Sequence, residues 1–264
     1  MSASQRRGAA RSGFTIIELM VSIGIISVLL SFALPALMGA RGRAGEVRSL
    51  ANARGVAADM RAFARQFGTW PFRAPGERPP GYPGTPPAGA LTVRLWPDGW
   101  MSVGDHWQHS RLWPGIVAAV APWEEHYETW VSPGREHSSL YADDGLPSAF
   151  IMTSYLYSNS FIASPALWTE GATADESLIA PTRPTDVGFP SNKVLVWDGD
   201  LAYLPRPPRR VEGHWLHATP MAFADGHAAV LNPLDATPGV ANPLNNDSAT
   251  RLHNTPGGVL GRDY

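Results

Sequence analysis

The sequence predicts an α+β protein in which one long N-terminal helix packs on a mainly antiparallel β head with long loops. An apolar run over residues 14–40 contains one charge, Glu18, and an amphipathic segment follows at 41–68. Two Asp-Gly turns lie between strand-like runs near the C-terminus, which is a strong hairpin signal. The 25 prolines and 26 glycines favour turns and ordered loops over a helical body.

The first part of the helix is apolar enough to cross a membrane. At about 1.5 Å per residue, residues 14–40 exceed the roughly 30 Å thickness of a hydrocarbon core. Three arginines, Arg6, Arg7 and Arg11, precede this run without any acid among them. That asymmetry predicts a cytoplasmic N-terminus and an extracytoplasmic remainder.

Glu18 is the unusual residue of the apolar run. A carboxylate costs about 2.5–3.5 kcal/mol at the centre of a membrane helix and less near its end. An acid in such a position is a functional hypothesis that needs a partner. If a peptidase cuts after Gly13, the new α-amine of Phe14 lies four residues before Glu18. That cation can pair with Glu18 of the same chain or of a neighbour.

Together, Gly13-Phe14-Thr15, Glu18, the arginine-bearing leader and the apolar helix resemble the processing signal of type IV prepilins and type II secretion pseudopilins. The resemblance covers about residues 12–67. It implies a pilin-like fold, cleavage between Gly13 and Phe14 by prepilin peptidase, and N-methylation of Phe14. It also implies that Glu18 docks the subunit into a growing fibre.

The same resemblance implies where the protein works and with what. The partners would be prepilin peptidase, sister pilin or pseudopilin subunits that pack through the N-terminal helix, and inner-membrane lipid. The chain would cross the inner membrane once, with its head in the periplasm. Its parts would be a leader at 1–13, a transmembrane and assembly helix at 14–40, an amphipathic continuation at 41–68, and a head at 69–264.

Other interpretations of the N-terminus remain open. Residues 1–40 could be an ordinary secretory signal or an uncleaved signal anchor, but both leave Glu18 unexplained. A second functional class is a membrane-anchored extracytoplasmic protein that binds a glycan or a protein partner and does not polymerise. Six tryptophans, at positions 96, 100, 107, 113, 123 and 130, could form a sugar platform or supply buried packing.

Several function classes are excluded by what the sequence lacks. It has no Gly-x-Ser-x-Gly elbow, no phosphate-binding glycine loop and no His-Glu-x-x-His motif, so we expect no enzyme. The net charge of −2 and the absence of a basic patch argue against nucleic-acid binding. The absence of cysteine excludes disulfides. Many pilins close a C-terminal loop with a disulfide, so the resemblance implies that this chain holds that region in another way.

The amphipathic segment and the head give these expectations for secondary structure. Apolar residues recur at spacings of three and four at Val47, Leu50, Ala53, Ala57, Met60, Ala64 and Phe67.

A proline-rich loop follows at 68–90, and Pro114 begins a short helix. Strands are predicted at 91–96, 100–107, 129–133 and 149–157. Two hairpins pair 193–197 with 201–204 around Asp198-Gly199-Asp200, and 221–224 with 227–231 around Asp225-Gly226. The segment 233–264 is predicted to be irregular.

The second hairpin carries another resemblance. Asp225-Gly226, with His217 upstream, is similar to the C-terminal H-x9-DG signature of a group of large prepilin-like proteins. The spacing here is H-x7-DG from His217, and Ser132-Pro133 stands where the group has Cys-Pro. The resemblance therefore implies the architecture, a long helix and a β head, and assigns no site.

We expect no resident cofactor, although two metal interpretations exist. Asp143-Asp144-Gly145 and Asp198-Gly199-Asp200 are oxygen-rich turns of the kind that can hold calcium, and Asp198, Asp200 and Asp225 are the candidate ligands. The residues His214, His217 and His227 with Asp225 resemble a metal cluster in composition. In both cases the alternative is ordinary turn chemistry, with the histidines bonded to backbone or solvent.

Overall fold

The computed structural model describes residues 15–95, 99–104, 106–135, 153–245 and 249–264. The chain separates into two compact units, Met1–Arg43 and Ala44–Tyr264. Helix α1 spans Ile16–Phe67 and supplies residues to both units. Residues 149–152 of the strand predicted at 149–157 lie outside the described residues.

In the first unit, helix α1 presents an uncovered apolar surface. Its large apolar side chains from Ile16 to Met38 are all at least half exposed. Helix α1 is long and apolar enough to cross a membrane by length and composition. Pro35 lies inside it and removes one backbone donor without ending the helix.

The second unit contains eight short strands in the described part of the chain. Their bounds are β1 Leu91–Leu95, β2 Gly99–Val103, β3 Tyr155–Tyr157, β4 Val194–Asp198, β5 Arg210–Val211, β6 His214–Trp215, β7 Thr219–Phe223 and β8 Ala228–Leu231. All pairs are antiparallel, and the main sheet has the order β3-β4-β7-β8. Strands β1 and β2 form one separate ribbon, and β5 and β6 form another. The α+β prediction is therefore confirmed.

Short helices connect the strands. The α-helices are α2 His109–Leu112, α3 Pro114–Val117 and α4 Trp123–His126. The 3₁₀ helices are His106–Gln108, Tyr127–Thr129, Asn159–Phe161, Pro165–Trp168, Glu176–Leu178, Pro184–Asp186, Pro233–Asp235 and Gly258–Leu260. The short helix expected at Pro114 is thus present. The strand predicted at 129–133 is wrong, because the chain there leaves a 3₁₀ turn through successive bends.

The second unit buries one face of helix α1. The buried positions are Ser49, Asn52, Ala53, Val56, Ala57, Met60, Phe63 and Ala64. Their spacing is helical, as expected, but the face differs from the predicted stripe at both ends. Val47 is 66% exposed and Phe67 is 50% exposed. At the N-terminal end, Ser49 and Asn52 occupy buried positions because their side chains donate to Asp198 and to the Val131 carbonyl.

The hairpin predicted around Asp225-Gly226 is confirmed. Strands β7 and β8 pair with Ala222 opposite Ala228. The amide of Phe223 donates to the His227 carbonyl at 2.9 Å. Gly226 takes a φ of +94°, which is the left-handed region that glycine enters without a steric penalty.

The hairpin predicted around Asp198-Gly199-Asp200 is wrong. Strand β4 has β3 on one edge and β7 on the other, so no edge remains for residues 201–204. The Asp198 carboxylate accepts hydrogen bonds from the amides of Asp200 and Leu201, at 2.9 and 3.0 Å. Leu201 then adopts a φ of +50°, and the chain turns away from the sheet.

The two central strands are covered on both faces. One apolar cluster joins helix α1 to Tyr155 and Leu195. A second cluster joins Val194 to Leu252 of the C-terminal segment. A register shift between Val194 and Val196 marks a β-bulge, which re-aims side chains along β4. The segment 233–264 is largely irregular, as predicted, yet it covers a sheet face.

A buried ion pair fastens the C-terminal segment to the sheet. The Nζ of Lys193 lies 3.4 Å from Oδ1 of Asp263, and both side chains are fully buried. The same ammonium donates to Ser160 Oγ at 3.1 Å and to Thr255 Oγ1. Asp263 Oδ2 accepts from the amide of Val194 at 2.7 Å. This network fastens the C-terminal segment in a chain that has no cysteine.

We expect Gly45→Ala to destabilise the head and Gly55→Ala, on the same helix, to stabilise it. A Cβ on Gly45 would overlap the Tyr203 side chain, whereas nothing lies within 4 Å of a Cβ on Gly55. Overpacking costs about 1–3 kcal/mol, while removing a helix-interior glycine gains about 0.5–1 kcal/mol. Chemical denaturation of the full chain in detergent, followed by tryptophan fluorescence, measures both. Equal effects of the two substitutions would contradict the close approach of Tyr203.

Candidate functional site

The described part of the processing motif begins at Thr15, since Gly13 and Phe14 lie outside the described residues. Glu18 Oε2 accepts from the Thr15 amide at 2.9 Å and from Thr15 Oγ1 at 2.8 Å. Thr15 Oγ1 in turn accepts from the Glu18 amide at 3.2 Å. This reciprocal pair is a capping box at the start of helix α1.

The capping box gives Glu18 a structural task beside the one implied by the motif. Our sequence analysis missed it, although Thr-x-x-Glu before an apolar run is its sequence signal. Both contacts use Oε2, and no partner of Oε1 is found among the described residues. A carboxylate has about four lone-pair sites, so Glu18 can cap its own helix and still receive a cation.

In the head, Asp198 is the centre of a buried polar cluster. Its Oδ2 accepts from Ser49 Oγ and Ser132 Oγ, both at 2.6 Å. Its Oδ1 accepts the two turn amides of Asp200 and Leu201. The Asp198 side chain is fully buried. This carboxylate therefore joins helix α1, the segment after helix α4 and the end of β4. We call Asp198 with Ser49 and Ser132 the aspartate cluster.

Burial and hydrogen bonding act on the pKa of Asp198 in opposite directions. Desolvation raises the pKa, because removal from water disfavours the charged form. Hydrogen bonds from Ser132, Ser49 and the turn amides lower it, but desolvation is the larger effect and the net shift is upward.

The other two candidate calcium ligands also have protein partners. Asp200 Oδ2 lies 2.6 Å from Arg135 NH1 and accepts from Ser154 Oγ at 2.7 Å. Asp225 Oδ1 accepts from the amide of His227 at 2.9 Å and lies 2.7 Å from its Nδ1. No group of three or more metal-ligating side chains occurs within the ranges that the structure describes. Calcium binding at Asp198, Asp200 or Asp225 stays a prediction, and the turn at Asp143-Asp144-Gly145 lies outside the described residues.

The histidines of the proposed metal cluster each have a separate local contact. His214 Nε2 lies 2.9 Å from the Arg251 carbonyl, and His217 Nδ1 lies 2.7 Å from the Ala218 carbonyl. His227 contacts Asp225 and stacks on Phe223 with ring centroids 4.1 Å apart. These are the turn and backbone contacts that the alternative interpretation predicted.

Four of the six tryptophans considered for a sugar platform are buried: Trp107, Trp113, Trp123 and Trp130. Trp130 packs edge-on against Trp113 and Trp123, with ring centroids 5.3 and 5.0 Å apart. Its Nε1 donates to Asp59 Oδ2 on helix α1 at 2.9 Å. Trp100 is half-buried against Tyr82, and Trp96 lies outside the described residues. The buried four therefore serve packing.

We expect Asp198→Asn to remove a pH-dependent part of the stability. Because the folded-state pKa of Asp198 is raised, its contribution relative to asparagine is fully present below the unfolded value of about 3.9. It is lost as pH rises through the folded-state pKa. The measurement is the free energy of unfolding of both proteins between pH 4 and 8. Each unit of pKa shift corresponds to about 1.4 kcal/mol.

The control for this experiment is Glu170→Gln, which neutralises an exposed carboxylate in the same head. This substitution should leave the pH dependence of the free energy of unfolding unchanged. If the wild type gained stability relative to Asp198→Asn as pH rose, the hydrogen bonds of the aspartate cluster would outweigh its desolvation, contrary to our expectation.

Comparison with known proteins bears on the N-terminal segment. Residues 8–34 match the family model described as the prokaryotic N-terminal methylation motif. No curated protein and no solved structure matches the chain. The matched range contains the predicted cleavage position, Glu18 and most of the apolar run. It supports a prepilin-type protein that is processed at its N-terminus and anchored in a membrane by its apolar helix.

Proposed function

We propose that this protein is a structural subunit of a type II secretion pseudopilus or a type IV pilus-like fibre. Prepilin peptidase cleaves it between Gly13 and Phe14, Phe14 is N-methylated, and the helix then assembles with sister subunits. The observation that carries the proposal is the methylation motif at residues 8–34 on a helix whose apolar side chains are uncovered. The head stays on the periplasmic side of the inner membrane.

The apolar helix cannot select its fibre neighbours by hydrophobicity alone. Lipid tails are as apolar as its own side chains, so leaving lipid for sister helices gains little free energy from desolvation. A polar contact in an apolar medium is more selective, because an unpaired charge there is costly. Glu18 is the acid available for such a contact between residues 14 and 40.

Cleavage would create the matching cation. The new α-amine of Phe14 is a basic nitrogen that would carry this positive charge. N-methylation keeps a basic nitrogen at this position. The cation would meet the unoccupied oxygen of Glu18, either in its own chain or in the adjacent subunit. Contact between subunits would fix their axial stagger in the fibre.

The competing proposal is a membrane-anchored binding protein that never polymerises. It requires the same anchor but no processing at Gly13 and no role for Glu18 between subunits. The two proposals therefore differ in the mature N-terminus and in subunit contacts.

We expect a mature chain that begins with N-methylated Phe14. Mass spectrometry of membrane fractions from cells with and without prepilin peptidase measures this N-terminus directly. In cells that lack the peptidase, the leader at 1–13 should remain attached. A start at Arg41 would indicate an ordinary signal peptide, and an intact leader in both strains would indicate a simple anchor. Either result would contradict the proposal.

We expect Glu18→Gln to prevent assembly as fully as Glu18→Ala. Glutamine can still close the capping box but has no charge, whereas alanine loses both functions. Because the chain has no cysteine, Ser27→Cys in the apolar run provides a unique cross-linking position. Oxidative dimers in native membranes then report neighbouring helices. Dimer yield should fall at least about tenfold in both variants, a loss of about 1.4 kcal/mol or more in contact free energy.

The control is Glu46→Gln, which removes an acid from helix α1 beyond the apolar run and should leave dimer yield unchanged. If Glu18→Gln cross-linked like its parent, Glu18 would be a helix cap without an assembly role. If the parent formed no dimers, the non-polymerising alternative would be favoured.

A further inference from the structure

We propose that the head contains a site for a small tetrahedral oxyanion, namely a phosphate group. The site is a cavity of about 130 Å³ beside the turn that follows strand β4. It lies wholly in the second unit, so its failure would leave the fibre proposal intact.

Four basic side chains from separate segments line this cavity. They are Arg111 of helix α2, Arg210 of strand β5, His214 of strand β6 and His253 of the C-terminal segment. The two arginines come from different segments, and their guanidinium donors suit an anion that has several acceptor oxygens. We call these four residues the basic cavity.

The acids near the basic cavity are occupied elsewhere. Asp198 lines the cavity, but both of its oxygens accept hydrogen bonds from serine hydroxyls and turn amides. Asp200 pairs with Arg135, and Glu212 pairs with Arg251 at 3.0 Å. The positive charge in the cavity is therefore left without a matching carboxylate among these three acids.

Two of the basic groups have unused donor or acceptor positions. Arg111 is half-buried and has no assigned hydrogen bond or ion pair among the described residues. The Nδ1 atom of His253 is enclosed and lacks a hydrogen-bond partner within the same ranges. Buried polar atoms are normally satisfied, so an enclosed unpaired nitrogen beside a cavity indicates a missing ligand or water.

Arg210 is held in place while much of its guanidinium stays available. Its Cζ lies 3.9 Å from the ring centroid of Trp215, and NH2 donates to the Gly199 carbonyl at 3.3 Å. Trp215 Nε1 donates a hydrogen bond to the same Gly199 carbonyl at 2.7 Å. A guanidinium has five N–H donors, so most remain for a ligand.

The basic groups around the cavity also affect one another. Burial, and then the positive charges of His214, Arg111 and Lys193, lower the pKa of His253 to about 3. Burial and the charge of Arg111 lower the pKa of Arg210, against an opposing effect of Asp200. A bound dianion would offset the repulsion between Arg111 and Arg210. Arginine is suited to phosphate because its donors form a planar fork.

The test is stabilisation of the full chain in detergent by inorganic phosphate. Unfolding temperature is compared in phosphate and in sodium chloride at equal ionic strength, since specific binding stabilises the folded state in proportion to RT ln(1 + [L]/Kd). Trp197 and Trp215 line the cavity, so their fluorescence reports binding independently. We expect a saturable rise in unfolding temperature with phosphate concentration. The Arg111→Gln substitution should weaken the apparent affinity for phosphate at least about tenfold. Arg54→Gln, which changes an exposed arginine of helix α1, is the control and should bind normally.

If Arg111→Gln does not fold, Arg210→Gln serves instead, because Arg210 lines the cavity and is exposed. Dihexanoyl phosphatidate, tested in parallel, distinguishes a lipid headgroup from free phosphate as the source of the phosphate group. No stabilisation beyond that of sodium chloride, for either probe, would overturn the proposal. So would equal phosphate binding by the wild type and the folded cavity variant.

Discussion

The head is organised around one buried carboxylate, that of Asp198. Its two oxygens receive four donors from three parts of the chain: helix α1, the segment after helix α4 and its own turn. A buried charge is tolerated only when hydrogen bonds replace its water. The helix and the sheet therefore cannot slide past each other without leaving this group unsatisfied. Tyr155 strengthens the same junction, because its hydroxyl lies 3.0 Å from Ser49 Oγ.

This constraint explains where sequence analysis succeeded and where it failed. The long helix, the Asp225-Gly226 hairpin and the α+β class follow from local signals, namely periodicity and turn chemistry. The hairpin at Asp198-Gly199-Asp200 has the same local signal but fails. Both edges of β4 are occupied by strands distant in sequence, β3 and β7. No local pattern contains that information, and the role of Ser132 in the cluster is equally non-local.

The candidate sites also differ in whether they could be predicted from the sequence. The motif that contains Glu18 can be recognised in the sequence, because a processing enzyme and lipid would both act on a continuous segment of the chain. The basic cavity could not be predicted from the sequence. Its four residues are spread over more than half of the head and come together only after folding: Arg111, Arg210, His214 and His253. The same is true of Asp263, whose pairing with Lys193 joins the C-terminal end to the start of β4.

The Lys193–Asp263 pair connects stability with the cavity. Removing one partner of a buried pair typically costs 3–5 kcal/mol, whereas replacing both by apolar groups can be neutral. The pair therefore serves less as a source of stability than as a constraint on where the C-terminal segment lies. That segment carries His253, and Lys193 adds positive charge that lowers the pKa of His253. In a chain without disulfides, the contact that fastens the C-terminus thus also shapes the electrostatics of the basic cavity.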